Sequence, residues 1–321
     1  MFDPGTTAAC VDDLAAKRLV FVTGKGGTGK STFTALLGRR AAARGVRTLL
    51  VELDSRSTIR KMFSHGAPTK IGYQPVALAP DLFAVDIDSE NAVVSYLSEA
   101  LGSHAIATMV INNRVIRYFY DAVPAGREIV VLSRLYSLVT AGRAGDEREF
   151  DLFVVDMPAS GHALSLLQLP ATAGGAFGVG PVAKRARQME EAFLDPRRSA
   201  LAIATIPEEM AVSETVEFHR RFREEGRAPV RAVIVNMLPD PFLDEAAAML
   251  YRQARPAGGQ GGVSPAAAAV ARACEWDMAK TARKMQHMRA LQDALPGVVS
   301  LPLVETGEVL EGIEAHLGFL I

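Results

Sequence analysis

The stretch Gly24-Lys25-Gly26-Gly27-Thr28-Gly29-Lys30-Ser31 decides the fold. It fits the pattern G-x-x-x-x-G-K-[ST] and lies between an apolar run, Leu19 to Thr23, and a helical pattern from Ser31 to Arg44 that Gly45 stops. Glycines let such a loop wrap closely round phosphates, so that backbone N–H groups and the following helix N-terminus face negative charge. Gly24, Gly26, Gly27, Thr28 and Gly29 form the expected cradle. Lys30 is expected to reach the β- and γ-phosphates of a nucleotide, with Thr32 also on the nucleotide, and the Ser31 hydroxyl to bind Mg²⁺.

Short apolar runs alternate with longer helical patterns on either side of this loop, the mark of a parallel sheet wrapped by helices. The strand candidates are Leu19 to Thr23, Thr48 to Leu53, Leu82 to Asp86, Leu152 to Asp156, Leu201 to Ile206, Val230 to Asn236 and Val298 to Leu303. Most are apolar throughout, as in strands covered on both faces. The expected architecture is α/β, a mostly parallel doubly wound sheet of about seven or eight strands with flanking helices. Further helices are read over Glu208 to Glu225, stopped by Gly226, and over Glu90 to Tyr120. The organisation expected is one phosphate-loop domain over residues 1–321, with helical or apolar insertions at 88–127 and 170–197. A flexible loop is expected at 255–264, where Gly258, Gly259, Gly261 and Gly262 cluster.

The chain has 321 residues, and its 35 Lys+Arg against 36 Asp+Glu give no general attraction to nucleic acid or anionic lipid. Cys10 and Cys274 can form neither a CxxC pair nor a disulfide framework, which suits a reducing cytoplasm. Asp3, Asp12 and Asp13 stand where an export signal would be basic and then apolar. From Met157 to Ala183 there is no Asp, Glu, Lys or Arg, but Pro158, Pro170, Pro181 and several glycines would interrupt a membrane-spanning helix. That segment reads as a site loop leading into a mobile apolar stretch, with no permanent membrane insertion.

Two carboxylates end strands near the loop. Asp54 follows the second strand and could orient an attacking water; the competing reading is a helix cap, with Glu52 then the fallback. Asp156 ends a further strand, in the usual place of a second Mg²⁺ contact. Beyond it Gly161 could bring a backbone N–H to the γ-phosphate, and His162 could sense the nucleotide or simply bond locally. Lys25, on the loop itself, could be a solvated surface lysine.

The string GKGGTGKS resembles the deviant phosphate loop of a class that includes chromosome-partitioning, nitrogenase-iron-protein, arsenite-pump and tail-anchored-protein-targeting ATPases. The segment DMPASGHAL, Asp156 to Leu164, narrows this, being similar to the D-T-A-P-T-G-H-T-L switch of the last two groups. Pro124-Ala125-Gly126-Arg127-Glu128, Ile206-Pro207-Glu208-Glu209-Met210 and Val235-Asn236 resemble further motifs of that family in the same order. The resemblance implies ATP hydrolysis with Mg²⁺. It also implies a dimer, with the same or a related chain, in which Lys25 crosses to the partner's nucleotide as a catalytic group. Asn236 would read adenine, and Pro302 and Leu303 would lie in the segment closing over the base.

Three departures bear on function. After Asp54 the first switch of the targeting ATPases is not kept, no CxxC is present to bridge two subunits through zinc, and arsenite has no trio of thiols. The functions carried forward are an ATPase whose dimer closes to handle an apolar client or assemble a protein partner, a nucleotide-switched regulatory or spatial-organiser subunit, and an arsenite-pump energiser. Glu305, Glu308, Glu311 and Glu314 argue against a membrane-cycling basic tail.

Overall fold

The computed structural model describes residues 4–53, 59, 62–63, 71–113, 126–141, 149–224, 230–238, 249, 265–296 and 299–304. Its helices are α1 (Pro4–Ala15), α2 (Lys30–Ala43), α3 (Ser89–Leu101), α4 (His104–Asn112), α5 (Gly126–Thr140), α6 (Ser160–Phe177), α7 (Pro181–Leu194), α8 (Glu209–Glu224) and α9 (Pro265–Ala294). The strands are β1 (Leu19–Gly24), β2 (Thr48–Glu52), β3 (Val76–Ala79), β4 (Leu82–Asp86), β5 (Leu152–Asp156), β6 (Ser199–Thr205), β7 (Val230–Leu238) and β8 (Val299–Val304). They form one eight-stranded sheet in the order β3-β4-β2-β5-β1-β6-β7-β8. All pairings are parallel except β3 with β4. The doubly wound α/β reading is thus borne out.

β1, β2 and β6 are buried at every position, because helices cover both faces. Leu19, Phe21, Leu49 and Val51 join one core with α5 to α9, while Val20, Val22 and Leu50 join the other with α1 and α2. Phe21 stacks edge-to-face on Phe193 of α7 with ring centroids 5.7 Å apart. Burying a side chain of that size contributes about 1.5–3 kcal/mol and the aromatic pair about 0.5–1.5 more. The strand that launches the phosphate loop is thereby fixed at its middle. Below it, buried Arg18 donates to the carbonyls of Val139 (2.8 Å) and Phe150 and lies over the Phe153 ring, so its charge is hydrogen-bonded on the side away from the site.

Three expectations are corrected. The single helix over Glu90 to Tyr120 is two helices at its start. Gly102, at φ +69, ends α3, and Ser103 caps α4 by accepting from the Ile106 N–H; residues 114–120 lie outside the described residues. The segment from Met157 to Ala183, expected as a site loop leading into an apolar stretch, is mostly helical. Met157 to Ala159 form a loop, α6 then runs through the buried Pro170, and Gly178 to Gly180 join it to α7. Ala163, Leu164, Leu166, Leu167 and Pro170 face inward at helical spacing, so lack of charge here reflects packing against β1, α5 and α7. No helix among the described residues is long and apolar enough to cross a membrane. The third correction is β3, an edge strand that the sequence reading did not expect, turned into β4 at Pro80 and Asp81.

Candidate functional site

Four parallel strands bring their carboxyl ends to one edge: Gly24 from β1, Glu52 from β2, Asp156 from β5 and Asn236 from β7. Asp156 stands opposite Val22 on one side and Glu52 on the other. Here chain crossovers leave the sheet in opposite directions, where open α/β sheets bind ligands. A cavity of about 430 Å³ opens there, lined by the loop residues Gly26, Gly27, Gly29, Lys30, Ser31 and Thr32. Glu52, the segment Asp156 to Ala159, Asn236 and Met237 complete its walls.

Two glycines are required by geometry. Gly24, at φ +146, lies so close to β6 that a Cβ would stand 2.0 Å from the Ala204 carbonyl oxygen. At Gly29, φ +91, a Cβ would come within 2.2 Å of the Asn236 amide nitrogen. The loop is further held by the Thr28 hydroxyl, which donates to the Lys25 carbonyl at 2.8 Å. The Asn236 amide donates to the Thr28 carbonyl at 3.2 Å, tying β7 to the loop.

Lys30 opens α2, and its ammonium donates to the Lys25 carbonyl at 3.2 Å, folded back over the loop. The Ser31 hydroxyl donates to the Asp156 carboxylate. Lys25 turns the other way. Its ammonium pairs with Glu214 of α8 at 2.7 Å, both side chains about two-fifths exposed, and it does not line the cavity of its own chain. Sequence reasoning missed Glu214, since nothing in its surroundings separates it from the other charges of an amphipathic helix.

Glu52 is 4% exposed, and its carboxylate accepts from the Ile59 N–H at 3.1 Å. Asp54 lies outside the described residues. Gly161 and His162 sit in the first turn of α6, past Ala159. His162 lines an adjoining cavity of about 210 Å³ together with Asp88, Arg127 and Glu128, not the phosphate cavity. Pro302 and Leu303 belong to β8, with Pro302 opposite Val235, one residue from Asn236. The loop expected at 255–264 lies outside the described residues.

The thiols are buried in α1 and α9. Burial, with Asp13 adding to it against Arg231, pushes the Cys10 thiol up to about 11. No cluster of three His, Cys, Asp or Glu side chains that could hold a metal ion occurs among the described residues.

The glycine loop between β1 and α2, with Asp156 at the end of the neighbouring strand, is the arrangement of a P-loop nucleotide hydrolase. The model of the anion-transporting ATPase family matches residues 17–179, half of the 321, and the chain belongs to that family. It is 27% identical over 237 residues to the ATPase BagA of Mycobacterium tuberculosis, covering 72% of this chain and 68% of that one. With an arsenical pump-driving ATPase of Acidiphilium multivorum it shares 28% over 236 residues, 69% of this chain and 40% of the relative. A namesake from Escherichia coli is 28% identical over 241 residues, 68% and 39% respectively. The chain therefore spans about two-fifths of the length of the arsenical relatives. The family resemblance drawn from the two phosphate-site segments is borne out, and the chain is an ATP hydrolase.

Proposed function

We propose that the 430 Å³ cavity holds Mg·ATP and that two chains pair across their phosphate loops to hydrolyse it, the pairing exposing or covering an apolar surface for a protein client. The observation that carries this reading is the divergence of two lysines five residues apart on one loop: Lys30 is turned into the cavity, Lys25 outward to Glu214. The outward direction of Lys25 supports the reading that it serves a neighbour's nucleotide rather than its own.

The donor set fits magnesium. Ser31 and Asp156 offer hard oxygen ligands already in hydrogen-bond contact, and a cation that keeps waters and takes phosphate oxygens needs no larger protein cage. When bound, the ion supplies charge neutralisation at the phosphates. The chain's own residues do the rest. Lys30 exchanges the Lys25 carbonyl for the β- and γ-phosphates, and the N–H groups of Gly26, Gly27 and Gly29 face the phosphate oxygens. Asp54, two residues beyond the end of β2, accepts a hydrogen bond from the attacking water and orients it. Gly161 offers a first-turn N–H of α6 toward the γ-phosphate. Asn236, anchored to the loop through its amide nitrogen, keeps its carbonyl oxygen for the exocyclic amine of adenine.

An apolar client is favoured by Leu101, Ile106 and Met109 of α3 and α4, all exposed and Met109 by 77%. Energising an arsenical pump fits less well, because trivalent arsenic needs adjacent thiolates and both thiols here are buried, Cys10 held protonated. Calorimetric titration of the full chain with Mg·ATP tests the site. Wild-type is expected to bind, Lys30→Ala to lose most of the affinity while keeping its unfolding temperature, and equal binding by the two would overturn the assignment.

A further inference from the structure

β7 does not run straight past the cavity. Val235 pairs with Pro302 and Leu238 with Val304, so Asn236 and Met237 together oppose one residue of β8. Such a bulge bends the strand and re-aims a side chain. Met237 takes up the extra length at φ +56, a left-handed conformation unfavourable for a residue with a long side chain. Its side chain lines the cavity and is 38% exposed. Its carbonyl, turned out of the regular ladder, accepts from the Lys284 ammonium of α9 at 2.6 Å. On the other side of the bulge the Asn236 amide is directed onto the Thr28 carbonyl, beside Gly29, where a Cβ would collide with it.

We infer that Lys284 is a positioning residue for nucleotide selection: by binding the Met237 carbonyl it holds the β7 bulge in the form that aims Asn236 at the phosphate loop and the base. The inference rests on the reading that the cavity binds a nucleotide with its base near Asn236. An ammonium on the carbonyl offsets the strain at Met237, and α9 gains a direct mechanical link to the base end of the site. Without that link the bulge relaxes, Asn236 leaves the Thr28 carbonyl, and the phosphate grip of Lys30 and the glycines survives while discrimination of the base does not.

The test is titration of the full-length protein with Mg·ADP and with Mg·GDP, ligands that need no turnover. Wild-type is expected to prefer ADP. Lys284→Met should weaken ADP about tenfold, the size of one charge-assisted hydrogen bond, while GDP binding changes little, so that the preference shrinks. Lys284→Arg should retain the preference. Adding Met237→Gly to Lys284→Met should restore much of it, because glycine adopts φ +56 without cost. Should Lys284→Met fail to fold, Lys284→Gln, a shorter and uncharged donor toward the Met237 carbonyl, decides in its place: it should lower the ADP-to-GDP ratio, and an unchanged ratio overturns the inference. An unchanged ADP-to-GDP ratio in Lys284→Met overturns the inference, as does an equal loss for both nucleotides that neither Arg nor Met237→Gly repairs. Failure of wild-type to bind either nucleotide overturns the cavity reading, and this inference with it.

Discussion

Lys25 and Glu214, 189 residues apart in sequence, meet at 2.7 Å on the open side of the phosphate loop. Both side chains remain about two-fifths exposed, so water screens the pair and it contributes at most about 1 kcal/mol. Glu214→Gln should shift the free energy of chemical unfolding by no more than that. A loss several times larger would mean that the pair holds α8 to the loop rather than resting lightly on the surface.

At Gly24 the expectation is the reverse. A methyl group there meets the Ala204 carbonyl at 2.0 Å, and the residue sits at φ +146, so both β1 and β6 must shift to accept it. Gly24→Ala should cost at least about 1–3 kcal/mol and weaken nucleotide binding with it. Denaturant unfolding of the variant at wild-type stability would contradict the close approach of the two strands.

His219, buried in α8, gives a pH dependence whose sign follows from its surroundings. Burial first, and the Arg223 charge second, hold its imidazole below the ordinary value. Below about pH 6.5 the unfolded chain therefore takes up a proton that the folded chain resists, and stability falls as pH drops through that window, by at most about 1.4 kcal/mol per pH unit. His219→Phe should flatten this part of the profile. An unchanged slope between about pH 7 and 5.5 would place the effect elsewhere.

The phosphate site was legible because its demands are local. Gly24 to Ser31 and Asp156 follow directly from strand ends, and the structure brings Lys30, Ser31 and Asp156 to one cavity. What was not legible depended on partners distant in sequence or on packing. Gly102 marks a helix end only once Ser103 is seen to cap the next, and β3 is a short edge strand bounded by Pro75 and Pro80. In α6 the content of glycine and proline outweighed, in sequence, an inward stripe that the helix keeps through Pro170. Glu214 and Lys284 reach Lys25 and Met237 across the fold, and no spacing rule connects them.

Hydrolysis should separate from binding at Asp54. Asp54→Asn keeps shape and removes the proton acceptor, so turnover should fall about 10²- to 10⁴-fold with ATP affinity kept. Glu52, the fallback, lines the same cavity with its carboxylate buried and accepting from the Ile59 N–H, and it is the residue to replace next if Asp54→Asn keeps its turnover. Wild-type turnover by Asp54→Asn would remove the residue from the mechanism.

Lys25 acting on the partner's nucleotide is tested most directly by mixing Lys25→Ala with Asp54→Ala protein, each nearly inactive alone, and measuring phosphate release after subunit exchange has been shown. In a mixed pair the Lys25→Ala chain keeps its own Asp54 and receives an intact Lys25 from its neighbour, while the other site carries both defects. Random exchange makes half the pairs mixed, so activity should return to about a quarter of wild-type, a large gain because a cation supplied in trans is worth about 10³ to 10⁵ in rate. Exchange without any recovery would contradict the role of Lys25 in trans.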